Sequence, residues 1–209
     1  LLDCGMHQGG DAVERLHEET FSFDPTSIDA VVLSLAHLDH SGLLPKLCHE
    51  GFTGPVICTR ATAELLEVML KDSVGLYLRD LERRNVRNAR RGRPAEDAVI
   101  GMEDVAIVCG ACAGYAYGEE VAFGEGLSFM FHDAGHILGS AIVEVRLREE
   151  GRESTLVFSG DLGKDDSVLM NPPATPGSAD VLLVESTYGD REHRGEQDTQ
   201  EQLDRKSVV

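Results

Sequence analysis

Short apolar runs that end at polar, glycine-rich loops alternate with helix-like stretches along the chain. The runs at 28–34, 56–59, 127–132, 141–148, 155–158 and 181–184 have the length and composition of strands, and the first two and the last of them are predicted to be buried. Helical patterns fall at 62–72, with Thr62 as the N-cap, and at 77–93, as an exposed charged helix. This order predicts an α/β protein with two sheets, helices outside them and a site along one edge.

Residue types that bind metals follow several of these predicted strands. His37, Asp39 and His40 come directly after the first one and can point nitrogen and oxygen ligands into one small volume, a mixture that zinc accepts. His136 lies in a tight loop between two strands, and Asp161 ends another strand between glycines. Each residue alone is a weak signal, but their order at successive strand ends predicts a metal site.

Two more acidic residues complete a recognisable pattern. Asp3 stands in Leu2-Asp3-Cys4-Gly5, and Glu185 ends the last predicted strand in Glu185-Ser186-Thr187-Tyr188-Gly189. The order of all these residues resembles the metallo-β-lactamase superfamily, and the Glu185 motif is similar to the first motif of its RNA-processing β-CASP branch. The resemblance implies a four-layer αββα sandwich. It places a metallo-β-lactamase domain without its first strands at 1–190 and the start of a β-CASP domain at 191–209, so we expect truncation at both ends.

The resemblance also implies a site with two zinc ions. One ion is expected on His37 and His136, the second on Asp39 and His40, with Asp161 bridging both and Asp3 orienting ligands from outside. Asp39, Asp161 and Glu185 are the expected catalytic residues. Two cations ~3.5–4 Å apart activate a water for in-line attack on phosphorus. The implied function is hydrolysis of RNA, internally or from an end, in the cytoplasm.

One position departs from the family pattern His-x-His-x-Asp-His. Its first histidine falls on Leu35, which has no lone pair to donate, and a further metal-binding histidine of the family lies beyond Val209. We therefore expect this chain to hold fewer than two zinc ions. Two alternatives stay open: a metal-poor paralogue that acts as a scaffold in an RNA-processing complex, and a thioester or lactone hydrolase of the same fold. The Glu185 motif argues against the second alternative.

Charge and cysteine content limit these readings. With 37 acidic and 19 basic residues, the net charge of −18 opposes a surface that coats nucleic acid generally, but it allows one local basic patch. Seven arginines fall between Arg79 and Arg93, as either a solvated helix face or a phosphate-contacting strip. No apolar run approaches the ~18 residues of a membrane helix. Five scattered cysteines, including Cys109 and Cys112, indicate free thiols rather than a zinc knuckle.

Overall fold

The computed structural model describes residues 1–7, 9, 12–165, 167 and 169–190. The expected start of a β-CASP domain at 191–209 lies outside these residues. The described helices are α1 Ala12–Glu18, α2 Leu38–Ser41, α3 Leu44–His49, α4 Arg60–Arg90 and α5 Met102–Ala111, with a 3-10 turn at Pro25–Ser27. The strands are β1 Val31–Val32, β2 Val56–Thr59, β3 Cys112–Tyr115, β4 Glu120–Ala122, β5 Leu127–Asp133, β6 Ala141–Glu149, β7 Arg152–Phe158 and β8 Val181–Leu183.

The strands form the two predicted sheets. The first sheet is parallel in the order β1-β2-β3, and Leu2 extends it by one parallel bridge to Val32. The second sheet has the order β4-β5-β6-β7-β8, antiparallel as far as β7 and parallel between β7 and β8. Because β1 and β2 are parallel neighbours, their carboxyl ends lie at one edge of the first sheet, where the metal-ligand residue types follow.

Alternation along the strands divides the core into layers. Val31 and Val56 pack with the buried residues of helices α1, α3, α4 and α5 on one face of the first sheet. Val32 and Ile57 point to the other face, where they meet Phe131 and its neighbours from the second sheet. A small cluster of Ala134, Ile142 and Val157 lies on the far side of the second sheet. The described residues thus supply the α, β and β layers of the predicted αββα order.

Helix α4 replaces the two helices expected between 62 and 93. It is continuous over Arg60–Arg90 because its inward positions recur every three or four residues, at Thr62, Leu66, Leu70, Val74, Tyr77 and Leu81. The predicted cap was wrong by three residues: the N-cap is Thr59, whose hydroxyl accepts a hydrogen bond from the Thr62 amide. The segment from Tyr77 onward is therefore not wholly exposed.

Two strand predictions need correction. The first predicted strand is regular only over Val31–Val32. Strand β8 exists but is not buried, since Leu182 is 60% exposed and its neighbours are similarly open. Among the described strands β8 has a partner on one side only, so its apolar run does not lie inside the sheet. None of the described helices combines the length and apolarity required to cross a membrane.

Candidate metal centre

The loop after β1 presents three of the expected ligands on one short turn. His37 is the N-cap of α2, and Asp39 and His40 occupy its first positions. The loop is held by the segment before it in the chain, because the amides of Cys4 and Met6 donate to the carbonyls of His40 and Leu38. Gly5 is required at this crossing, since a Cβ there would lie 1.5 Å from the Asp39 carbonyl oxygen.

Asp3 holds His40 from behind. Its Oδ2 lies 2.7 Å from His40 Nδ1 and accepts from the Ser34 hydroxyl at 2.6 Å, while its Oδ1 accepts from the Ser34 amide at 2.7 Å. A carboxylate oxygen at this distance favours the His40 tautomer whose proton is on Nδ1 and points at Asp3. The geometry therefore directs the other ring nitrogen, Nε2, toward Asp161 at 3.1 Å from Oδ1.

The loop between β5 and β6 positions His136 through a buried serine. The Ser140 hydroxyl accepts from the amides of His136 and Ile137, each at 3.1 Å. Gly139 has a left-handed φ of 81°, and a Cβ there would lie 2.5 Å from the Thr62 amide, so the loop packs directly on the start of α4. Thr59 and Thr62 donate their hydroxyls to the Gly139 carbonyl from that helix.

Asp161 follows β7, and Glu185 holds its loop at two points. The Glu185 amide donates to the Ser159 hydroxyl at 3.0 Å, and its Oε1 accepts from the Leu162 amide at 2.8 Å. Burial works against ionisation of Glu185, but the hydrogen bonds from the Leu162 amide and from Thr187 outweigh it and lower its pKa. Glu185 belongs to neither of the ligand groups that the described residues form, so it reaches the centre through the Asp161 loop.

These loops bring all five expected ligands together. Two groups could each hold a metal ion, one of His37, His136 and Asp161, the other of Asp39, His40 and Asp161. His136 Nε2 and His37 Nδ1 lie 3.4 and 3.9 Å from Asp161 Oδ2, and the two imidazole rings stand perpendicular with centroids 5.2 Å apart. Asp161 is the residue that both groups share.

The chemistry of the donors fits a cation. Within the described part of the chain, His136 Nε2 is a buried nitrogen with no hydrogen-bond partner, which is costly unless something else satisfies it. Burial, followed by repulsion from His136, lowers the pKa of His37 and favours the neutral ring that binds metals. Burial would also lower the pKa of His40, but Asp3 and then Asp161 outweigh it and raise that pKa.

Leu35 is fully buried and belongs to neither group. The described residues thus offer the first metal two imidazoles and the shared carboxylate. Sequence reasoning gave no role to Ser34, Ser140 and Ser159, which brace the Asp3, His136 and Asp161 segments respectively. Their signal in the sequence is a serine within four residues of an expected ligand: Ser34 before His37, Ser140 after His136 and Ser159 before Asp161.

Comparison with known proteins agrees with this arrangement. The family model of the metallo-beta-lactamase superfamily matches residues 1–205, so the chain belongs to that superfamily and the expected fold is confirmed. Ribonuclease TTHA0252 of Thermus thermophilus is 41% identical over 95% of this chain and 40% of its own length. Its name and those of the relatives below are consistent with the RNA-processing β-CASP branch.

Two archaeal relatives match over shorter shares of their own length. Transcription termination factor FttA of Methanothermobacter thermautotrophicus is 32% identical over 92% of this chain and 28% of its own length. RNase J-like protein of Methanocaldococcus jannaschii is 31% identical over 90% of the chain and 37% of its own length. The chain therefore spans well under half the length of these three relatives.

Proposed function

We propose that this chain provides the zinc centre of a metal-dependent ribonuclease. The observation that carries the proposal is Asp161, a single carboxylate shared by the two ligand groups. The names of two relatives, a ribonuclease and an RNase J-like protein, support RNA as the substrate over a thioester or a lactone. Five free cysteines are compatible with a reducing compartment such as the cytoplasm.

The residues present fit metal ions in two groups, the first of them one imidazole short at Leu35. His37 and His136 would hold one, Asp39 and His40 the other, and Asp161 would bind both. Such a pair lowers the pKa of a water and neutralises the charge that develops during in-line displacement at phosphorus.

The surrounding residues act by positioning these ligands. Asp3 keeps a proton on His40 Nδ1, which leaves Nε2 as the nitrogen with a free lone pair. Ser140 fixes the backbone that carries His136. Glu185, expected from the sequence to be catalytic, is proposed to act through the Asp161 loop that it anchors.

A second candidate function is supported by Leu35. A leucine at the position of a family ligand weakens the first group, as it would in a metal-poor paralogue that serves as a scaffold in an RNA-processing complex. The two candidates differ in whether the protein hydrolyses RNA at all, so one activity measurement separates them.

The test uses the protein expressed from its complete reading frame, a labelled single-stranded RNA and added Zn²⁺. We expect hydrolysis that Asp161→Ala abolishes and that Asp72→Ala, an exposed carboxylate on α4, leaves intact. Elemental analysis of the same proteins should show zinc lost with Asp161→Ala alone. Hydrolysis that survives Asp161→Ala contradicts the proposed centre. Absence of hydrolysis in the unaltered protein, with zinc bound only weakly, supports the scaffold.

A further inference from the structure

An open cleft of about 430 Å³ lies next to the metal centre, beyond the ligands themselves. It is bounded by the start of α4 at Arg60, the segment from Tyr115 to Tyr117, and the loop residue Leu138. Met170 and Asn171 form its remaining wall. Its size is within the range of pockets that hold small ligands.

The cleft and the metal centre share one loop. Leu138 is two residues after His136, so their Cα atoms are within about 7 Å of each other. The Tyr117 hydroxyl donates to the Ser140 carbonyl at 2.8 Å, and the Ser140 hydroxyl in turn holds the His136 backbone. The cleft wall is therefore joined to the His136 backbone by direct contacts.

The cleft presents apolar surface to solvent. Leu138, in the loop between β5 and β6, is 65% exposed, and Tyr117, between β3 and β4, is 41% exposed. Tyr115 is half-buried beside them and packs on the core between the sheets. Aromatic side chains such as Tyr115 and Tyr117 are the surfaces on which unpaired bases of single-stranded RNA stack, and Leu138 adds apolar area beside them.

A cation stands at the rim of this apolar surface. The side chain of Arg60 is 72% exposed, and the carboxylate of Glu119 is 4.0 Å away and also accepts from the Ala116 amide. Asp133 lines the cleft too, but its two oxygens accept from the Gly135 amide and from Asn171 Nδ2. On a chain of net charge −18, an exposed guanidinium beside an apolar wall is suited to a phosphate with a base attached.

We propose that this cleft binds one nucleobase of the RNA against Leu138 and Tyr117, with the adjoining phosphate on Arg60. The inference rests on the proposed function for its substrate class, and it adds a site that grips a nucleotide beside the metal centre.

The test measures binding rather than cleavage, in EDTA, by fluorescence anisotropy. Two labelled probes are compared: a 12-nucleotide RNA and a ribose-phosphate oligomer of the same length without bases. We expect the protein to prefer the RNA, and Leu138→Ser to reduce that preference by about tenfold, the order expected when a base covers an exposed leucine side chain. Val68→Ser is the matched control, since Val68 is 64% exposed on the outer face of α4.

Arg60→Gln is expected to weaken both probes alike and to lower the log–log salt slope by about 0.7, the value of one phosphate contact on a single strand. Arg152→Gln, exposed at the β6–β7 turn, is its control. The cleft is not a base site if the protein binds both probes equally, or if Leu138→Ser behaves as Val68→Ser does. If the protein prefers the RNA but does not hydrolyse it in Zn²⁺, the base site stands and the proposed ribonuclease function is rejected. If it hydrolyses RNA but shows no preference for bases, the ribonuclease function stands and the base site is rejected.

Discussion

At the residue scale, only a few hydrogen bonds orient each expected ligand. His40 is oriented by one carboxylate, Asp3, which also accepts from the amide and the hydroxyl of Ser34. Asp3 has a left-handed φ of 54°, a conformation that aspartate and asparagine tolerate better than most residues. Asp3 therefore contributes both a left-handed backbone conformation and a negative charge, and substitution can separate these two contributions.

Asp3→Asn should lower zinc affinity by about tenfold to 100-fold without unfolding the chain. Asparagine tolerates the left-handed backbone and keeps an oxygen for the Ser34 amide, but it removes the negative charge that fixes the His40 tautomer. Competition with a fluorescent zinc chelator measures the affinity, and circular dichroism checks the fold. Asp72→Asn on the surface of α4 serves as control. Unchanged affinity would show that His40 needs no carboxylate behind it.

Leu35 gives the second prediction at this scale. The unaltered chain should retain fewer than two zinc ions after dialysis, and Leu35→His should increase the retained zinc. Leu35 is fully buried, so an imidazole there has to find a partner, and a metal ion provides one. We therefore expect Leu35→His to lower thermal stability in EDTA and to recover it with zinc. Two tightly held ions in the unaltered chain would mean that another residue replaces the missing ligand.

At the element scale, the expected ligands lie in the loops that follow β1, β5 and β7. These strand positions could be predicted from the sequence. The apolar runs located β2, β5, β6 and β7 because their lengths and turns are local properties of the chain. The burial of β8 could not be predicted in the same way. The apolar run at 181–184 has the composition of an interior strand, whereas burial of β8 depends on what covers both of its faces. Helix α4 was divided in the prediction because its second half is charged, and only packing shows that Tyr77 and Leu81 continue its inward face.

The second sheet carries a buried charge pair that gives a stability prediction. Glu144 on β6 lies 2.8 Å from His132 Nε2 and 2.6 Å from Arg146 Nη2, with a side chain only 7% exposed. Burial by itself would raise its pKa, but His132 and Arg146 outweigh burial and lower it. Glu144→Gln should therefore destabilise the metal-free chain by about 1–3 kcal/mol at pH 7.

The pH dependence follows from the sign of that shift. A carboxyl whose folded-state pKa is depressed stabilises the fold above its ordinary pKa of about 4.3, and it loses this contribution as the pH falls through the folded-state value. The stability difference between the chain and Glu144→Gln should thus shrink below about pH 4.3. Urea unfolding in EDTA measures it. Glu153→Gln, in an exposed pair with Arg148, should change stability by under about 0.5 kcal/mol, and an equal effect of both variants would contradict the buried pair.

At the scale of the whole molecule, the charge distribution limits where RNA can lie. The net charge of −18 repels phosphates from most of the surface, and α4 carries an exposed stripe of Arg79, Arg83, Arg87 and Arg90 on one face. Arg84 does not belong to this stripe, because its side chain is 17% exposed and contacts Glu14 and Glu96. The helix starts against the His136 loop, so at 1.5 Å per residue the stripe begins about 30 Å along the helix from that loop.

RNA length should therefore decide whether the stripe is used. With about 3.4 Å per stacked nucleotide, roughly nine nucleotides are needed to reach from the centre to Arg79. We expect the combined change Arg79→Gln, Arg83→Gln and Arg87→Gln to leave the salt dependence of a four-nucleotide RNA unaltered. For a 30-nucleotide RNA it should lower the log–log slope by about 2, which is three contacts at roughly 0.7 each.

The matched control is the double change Arg148→Gln and Arg152→Gln, which also makes the chain more acidic but lies at the β6–β7 turn. Anisotropy titrations in EDTA at four salt concentrations give the slopes for each protein and each RNA. If the longer RNA keeps its slope in the triple variant, the stripe is a solvated helix face and the RNA follows another path. If the four-nucleotide RNA also loses slope, the arginines act through the overall field of the protein, and the control variant, which removes two charges against three, should then show about two thirds of that loss.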